Sequence, residues 1–282
     1  MPQGMHTVRF LFLAFVQGIT EFLPVSSSGH LAIFQTMLGF KEPPLVFDII
    51  LHLATTLAVL IFLRKELALV CSESLQAFHG LRKGERLGVI WRKFPYYRMG
   101  VLVIVAFLPA ATIGVLLHSL IEKMFASLMV VGISLLFTGT VLFMTKNVSS
   151  KKNIETMTSF DAVIVGIAQA CAIVPGISRS GMTIAGGMFR KLDKNFAARF
   201  SFMLSIPTIL AAAVYHLKNG IGDIFEGKKM ILMLSFLIAF VTGYAALAFL
   251  SRLISRAKFH YFSYYCWGIG LVSILLAVKW PR

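Results

Sequence analysis

Apolar residues run in long unbroken stretches along the chain, and polar residues gather between those stretches and at two interior interruptions. Six stretches, at 45–63, 99–118, 124–145, 200–217, 230–250 and 261–280, have the length and apolarity of full membrane spans. A helix needs about 20 such residues to cross roughly 30 Å of hydrocarbon. Membrane β-strands would alternate apolar and polar residues in segments of roughly 10, a pattern this sequence lacks. The pattern predicts an all-α polytopic membrane protein.

Two further apolar regions are broken in the middle. The first, 8–39, is interrupted by EFLPVSSSGH, and the second, 161–189, by IVPGISRSGMT. Each break holds a proline, a glycine and several hydroxyl residues, and each half is expected to be too short to cross the bilayer. Such pairs read as re-entrant helical hairpins, whose irregular backbone survives at membrane depth only where protein or a wet cavity covers it.

The two broken regions resemble each other. SSSG at 26–29 lies against SRSG at 178–181, an offset of 152, which also sets Gln17 on Gln169. One residue further out of register, at an offset of 153, Phe47, Leu51, Thr55, Leu57 and Ala58 meet Phe200, Leu204, Thr208, Leu210 and Ala211. This predicts one membrane domain, 1–282, made of two repeats, 1–150 and 151–282, each with one hairpin and three spans. An odd number of spans turns the second repeat upside down, giving inverted topology with the broken helices meeting near the midplane.

Composition agrees. Hydrophobic residues make up 57% of the chain and charged residues 14%, against about 25% charged in a typical soluble domain; the mean hydropathy is +0.81. The formal net charge of +15 would suggest nucleic acid in a soluble protein. Here the basic residues lie between the apolar runs, so membrane topology explains them, with membrane lipids and not nucleic acid as partners. With segments 64–98, 146–160, 190–199 and 251–260 placed in the cytoplasm, 18 of the 27 Lys and Arg fall there, 8 on the other side, and Arg179 inside the second hairpin. That bias puts both termini outside. Segment 65–93 also reads as a surface helix rich in Arg and Lys. The three cysteines fit no metal motif. The first apolar run holds Gln17 and Glu21, with no small-residue cleavage site after it, which argues against a signal peptide.

Ionisable side chains inside a membrane are costly and so are functional candidates. Glu21, His30, Asp48, His52 and Arg179 all lie in or beside the duplicated segments. Gln17 and Glu21, four apart, share one helical face. Glu21 is suited to hold a divalent cation or orient water, or else to neutralise a basic group; Gln17 is suited to the same site or to an interhelical hydrogen bond. Ser26 and Ser27 sit at a helix start, where free N–H groups and the helix dipole attract anions, although one of them can serve merely as an N-cap. His30 is placed to attack phosphorus, to donate a proton to the leaving group, or to hold a serine. In the second break Ser178, Ser180 and Thr183 supply hydroxyls, and Arg179 a permanent cation whose planar fork suits phosphate oxygens. Asp48 and His52, also four apart, support the first hairpin or bond between helices.

Pseudo-symmetry would bring both helix starts together as one oxyanion site. A bridging Mg²⁺ or Ca²⁺ would remove the conflict between a phosphate and Glu21. The chemistry that fits is phosphoryl transfer to water, directly or through a phospho-enzyme. The chain has neither a Walker A loop nor a zinc signature. The rival class is a transporter, since broken helices in inverted repeats also mark transporters; an ion channel fits poorly with Arg179 and the lack of a polar ring.

At QGITEFLPVSSSGH (17–30) and PGISRSGMT (175–183), supported by FDIILHLATTLAV from Phe47 and FSFMLSIPTILAA from Phe200, the chain resembles the undecaprenyl-diphosphatases of the bacitracin-resistance type over essentially its whole length. In the family's first motif, Glu or Gln then three residues then Glu, this chain has Gln17 and Glu21, leaving one carboxylate. The family's serine and histidine fall on Ser27 and His30, and its arginine motif on Ser178, Arg179 and Thr183; Ala54 stands where the family has Gly. The resemblance implies hydrolysis of undecaprenyl diphosphate to undecaprenyl phosphate and inorganic phosphate. It implies recycling of the cell-wall lipid carrier, bacitracin resistance when abundant, and a divalent cation held by Glu21. It also implies a place in the bacterial inner membrane with the site open to the periplasmic side, and leaves room for a homodimer. Within it, Ser27 is favoured as nucleophile with His30 as its proton partner, His30 itself being the other candidate. Arg179, Ser178 and Thr183 are assigned to phosphate, with Gln17, Ser26 and Ser180 lining the site. A polyprenyl-phosphate flippase would use the same anion site and is the alternative function.

Overall fold

The computed structural model describes residues 3–40, 45–117, 124, 127–149, 151–218, 229–256 and 258–279. Lys41, Lys123, Lys228 and Arg282, four of the basic residues assigned to the outer side, lie outside the described residues.

The first hairpin is α1 (Gln3–Phe22) and α2 (Ser27–Met37), followed by α3 (Leu45–Phe62). The basic segment forms α4 (Arg64–Arg82) and α5 (Leu87–Lys93), and α6 (Pro95–Leu116) and α7 (Leu128–Met144) close the first half. The second hairpin is α8 (Ser159–Cys171) and α9 (Arg179–Phe189), followed by α10 (Lys194–Lys218), α11 (Lys229–Ser255) and α12 (Phe262–Lys279). Among the described residues five helices are long and apolar enough to cross a membrane, namely α6, α7, α10, α11 and α12. A sixth span results if α3 is read with α4, from which it bends by 73°. The chain is thus an all-α, multi-pass membrane protein. Of the hairpin helices, α2, α8 and α9 are short, with 11, 13 and 11 residues, whereas α1 reaches 20. At 1.5 Å per residue, α1 is longer than the short half the sequence pattern suggests.

Local chemistry sets several helix ends that hydropathy alone misses. Pro95 occupies the first turn of α6, where its missing N–H is no loss, and the Glu73 carboxylate accepts from the next two amides, of Tyr96 and Tyr97, at 2.6 and 3.1 Å. Asp193 accepts from the amides of Asn195 and Phe196 at 2.9 and 3.1 Å, which starts α10 in polar sequence ahead of its apolar run. Thr158 and Asp161 form a capping box at the start of α8.

Helix pairing follows a two-fold pattern. α1 packs on α11 as α8 packs on α6; α3 packs on α11 as α10 packs on α6; and α3 with α10 and α7 with α12 pair across the centre. At the 152–153 offset these are the pairings that exchange of two halves would leave unchanged. Small residues permit the closest crossings, as in many membrane interfaces. A Cβ on Gly18 of α1 would lie 2.7 Å from the Ala239 carbonyl of α11, and one on Gly132 of α7 2.8 Å from the Gly270 carbonyl of α12. The largest buried cluster runs between the hairpin turns and α3, α6, α10 and α11, and includes Phe22, Leu102, Ile184, Phe200 and Phe202.

The four basic segments meet at one end of the bundle. Arg98 donates to the Glu155 carbonyl at 2.6 Å and to the Met157 carbonyl. Arg199 pairs with Glu66. The turns at Thr145–Asn147 and Phe259–Tyr261 touch. Asp161, fully buried at the base of the second hairpin, is bound by Lys152 and by Arg190, each at 2.8 Å, so the loop before α8 and the end of α9 are tied to one carboxylate.

Candidate active site

The two hairpin turns face each other and touch. A Cβ on Gly29 would be 3.1 Å from Gly176 Cα, and one on Gly181 would be 3.4 Å from Pro24 Cβ. Ser180 Oγ donates to the Leu23 carbonyl at 3.1 Å. In the first turn Ser26 caps α2, accepting from the Gly29 amide at 3.2 Å; its φ of +67° is rare for a residue with a side chain. In the second turn Ser178 caps α9, accepting from the Gly181 amide at 3.1 Å. Gly176, at φ +91°, supplies the left-handed residue that turn requires. Thr138 of α7 braces it, its hydroxyl donating to the Gly176 carbonyl at 3.2 Å and accepting from the Ser178 amide at 3.1 Å.

Between the turns lies Glu21, on the last turn of α1 and buried. Its Oε1 accepts from Arg179 Nη2. Its Oε2 accepts from Ser27 Oγ at 2.6 Å and from Gln17 Nε2 at 2.8 Å, and lies 3.5 Å from His52 Nε2. His52 Nδ1 is 2.7 Å from the Asp48 carbonyl, which fixes the hydrogen on Nδ1. Two buried polar atoms here have no partner among the described residues, Gln17 Oε1 and Arg179 Nη1. Such atoms are rarely left unsatisfied unless a ligand or water meets them. One acceptor and one donor therefore stand ready beside a hydroxyl whose proton is already bonded to a carboxylate.

Of the residues nominated from sequence, Gln17, Glu21, Ser27 and Arg179 come together in one hydrogen-bonded group. Ser26 and His30 form a second group beside it: His30 Nδ1 is 2.8 Å from the Ser26 carbonyl and Nε2 is 2.8 Å from the Tyr265 hydroxyl. The Ser27 hydroxyl is bonded to Glu21 and not to His30. Ser178, Ser180 and Thr183 are buried and engaged in the frame: Ser178 with Ser180 at 3.2 Å, and Thr183 with Ser201 at 2.6 Å and with the Arg179 carbonyl at 2.8 Å. Asp48 accepts from Gln35 Nε2 at 3.1 Å. Sequence reading passed over Tyr265 and Thr138, which are distant along the chain and carry no motif of their own, and Ser201, which lies within FSFMLSIPTILAA but was not singled out there.

The chain matches known proteins over nearly its whole length. The family model described as "Bacitracin resistance protein BacA" matches residues 10–272. The chain is 40% identical over 280 residues to a protein of Alkaliphilus metalliredigens named undecaprenyl-diphosphatase, covering 97% of this chain and 100% of that one. It is also 40% identical to a protein of the same name from Methanobrevibacter smithii, covering 96% and 98%. A third, from Carboxydothermus hydrogenoformans, is 38% identical over 276 residues, covering 96% and 98%.

Proposed function

The chain belongs to the bacitracin resistance protein BacA family, and on that footing we propose how its two hairpins carry out the reaction of its relatives. It is an undecaprenyl-diphosphatase, a membrane hydrolase of a polyprenyl diphosphate. The observation that carries the assignment of roles is the single carboxylate of Glu21, bonded at one oxygen to Arg179 and at the other to the Ser27 hydroxyl at 2.6 Å.

Ser27 is the nucleophile and Glu21 its base. As Ser27 Oγ bonds to the terminal phosphorus, its proton passes to Glu21 Oε2. The bond from that phosphorus to the bridging oxygen breaks, and undecaprenyl phosphate leaves with the bond's electrons. Glu21 gives that proton to the departing phosphate and is a carboxylate again. Water then attacks the phosphoserine, its proton passing to Glu21 Oε2 and on to Ser27 Oγ as the Oγ–phosphorus bond breaks and inorganic phosphate is released. The free Nη1 of Arg179 and the amides at the starts of α2 and α9 receive the charge of the phosphoryl oxygens. Ser178 and Thr183 act by holding the start of α9, Ser26 by capping α2, and Ser180 by tying the second turn to the first.

Among the described residues no group of three or more His, Cys, Asp or Glu could hold a metal ion. The donors present still fit a hard cation shared with substrate: the Glu21 carboxylate and the unpartnered Gln17 Oε1 supply two oxygens, and Mg²⁺ is commonly bound by one or two protein oxygens plus phosphates. Gln17 and Glu21 would hold Mg²⁺ or Ca²⁺, which when bound would neutralise charge on the diphosphate. The chain is assigned to a plasma membrane, with the basic end of the bundle in the cytoplasm, both termini outside, and the site serving the outer leaflet. The two-fold pairing of helices supports an inverted repeat built by duplication.

The test is phosphate release from the purified protein in detergent with a polyprenyl diphosphate, with and without chelator. Wild type turns over and the chelator suppresses it, while Ser27→Ala and Glu21→Ala are inactive. A pure flippase releases no phosphate, and full activity in Ser27→Ala would remove the nucleophile assignment.

A further inference from the structure

His30 and Tyr265 take no part in the chemistry proposed above, yet they are joined to each other across 235 residues of sequence. Tyr265 lies in the first turn of α12. Its ring stacks on the imidazole with centroids 5.6 Å apart and planes 5° apart, and its hydroxyl is 2.8 Å from Nε2. The other ring nitrogen, Nδ1, is 2.8 Å from the Ser26 carbonyl. A carbonyl oxygen only accepts, so Nδ1 carries the hydrogen, and the Nε2 lone pair of the neutral ring accepts from the Tyr265 hydroxyl. Both nitrogens are engaged, which leaves neither for phosphorus or for Ser27.

What the ring holds is Ser26, the residue with φ +67°. A non-glycine residue in that region is strained and persists only where its surroundings enforce it. Ser26 directly precedes Ser27, so its conformation sets the direction of the Ser27 side chain. The neighbour of Tyr265 grips the same turn, Cys266 Sγ donating to the Pro24 carbonyl at 3.4 Å. Helix α12 thus touches the first turn at two consecutive residues, as α7 braces the second turn through Thr138.

Resting on the reading of Ser27 as nucleophile, we propose that Tyr265 is a positioning residue: it fixes the tautomer and tilt of His30, and through His30 the strained Ser26 turn that aims Ser27 at the terminal phosphorus. His30 is then a positioning residue as well, and its imidazole takes no proton during turnover.

The experiment is a double-mutant cycle on the full-length protein in detergent, with polyprenyl diphosphate turnover measured against substrate concentration. Tyr265→Phe keeps the stacked ring and removes the hydroxyl; kcat falls roughly tenfold to a hundredfold while KM stays within about twofold. His30→Asn keeps an N–H for the Ser26 carbonyl and retains turnover well above that of Ser27→Ala. In the His30→Asn background Tyr265→Phe costs nothing further, because the bond it removes is already gone. Additive losses in the double variant, or a His30→Asn protein as inactive as Ser27→Ala, overturn the proposal. Ser27→Ala, run alongside, reads the nucleophile assignment separately. Turnover surviving there removes what Tyr265 is said to aim, whereas loss of the coupling alone removes only the role of Tyr265.

Discussion

Arg179 at the start of α9 and Glu21 near the end of α1, 158 residues apart, are bonded to each other between the two hairpin turns. The pair helps join the halves of the protein at the reacting centre, with Glu21 buried and Arg179 half-buried. Removing one member leaves the other as an unpaired charge, which costs roughly 3–5 kcal/mol in buried pairs.

This separates stability from catalysis. Arg179→Ala should lower the melting temperature in detergent and abolish turnover. Glu21→Gln combined with Arg179→Met removes both charges and should recover much of the melting temperature with no recovery of turnover. If the double variant hydrolyses substrate, the pair is a structural tie and not part of the chemistry. Arg179→Lys keeps the charge but not the planar fork, and its kcat should fall by roughly 10²–10³, the range for loss of one preorganised donor.

The reacting group was legible in the sequence because each member is polar in an otherwise apolar segment and stands at a helix break. Gln17 and Glu21 share a face by their spacing, and PVSSSGH and PGISRSG announce both helix starts. The roles of the remaining hydroxyls were not legible. A serine or threonine near a helix start satisfies a cap or a substrate equally well, and only the partners of Ser178, Ser180 and Thr183 decide for the frame. Thr138 and Tyr265 were invisible for another reason. A threonine within an apolar span usually bonds to its own helix, and a tyrosine near a span end usually marks the membrane interface. Their contacts come from helices that meet only when folded. Hydropathy also stopped short of helix ends that run on into polar sequence, as where Asp193 starts α10 six residues before its apolar run.

Ser27 and Glu21 make a prediction of order. If Ser27 becomes phosphorylated, Glu21 is needed twice, once for each proton. Ser27→Ala and Glu21→Gln should each reduce kcat by at least about 10³, and the double variant should be little worse than either, as for residues that act as a unit. Rapid acid quench with a substrate labelled at the terminal phosphate should find label on the wild-type protein and none on Ser27→Ala. Label on Ser27→Ala would point to another nucleophile.

The base of the second hairpin predicts the response to acid. Burial alone would raise the Asp161 carboxyl, but Lys152, the backbone and hydroxyl of Thr158 and Arg190 outweigh it and hold the group down at about 2. A carboxyl depressed on folding contributes stability above its unfolded value, about 3.9, and loses that contribution as pH falls from about 4 through about 2. Melting temperature in detergent should therefore drop over that window, and Asp161→Asn should remove the part of the drop that belongs to this site while destabilising the protein at neutral pH. An unchanged acid profile in Asp161→Asn would show that the cluster adds no pH-dependent stability.

The second turn allows a test of how closely the hairpins must approach. Gly176 has φ +91°, and a Cβ there would lie 2.5 Å from the Val131 carbonyl and 2.8 Å from Ser134 Cβ, both on α7. Gly176→Ala therefore meets conformational strain and backbone at once, and neither can relax by turning a side chain. Gly29→Ala is milder: α2 stays helical, and its Cβ would sit 3.1 Å from Gly176 Cα and 3.3 Å from Val131 Cγ1, a clash that a small shift relieves. The shift, a few tenths of an ångström, separates the two turns, and since displacement of about 1 Å can cost on the order of 10²-fold in rate, a several-fold loss is expected. Gly176→Ala should fail mainly in yield and melting temperature. Gly29→Ala should fold with a near-normal melting temperature and lose most of its kcat. Full kcat in a folded Gly29→Ala protein would mean that Ser27 and Arg179 need not be held at the distance the paired turns impose.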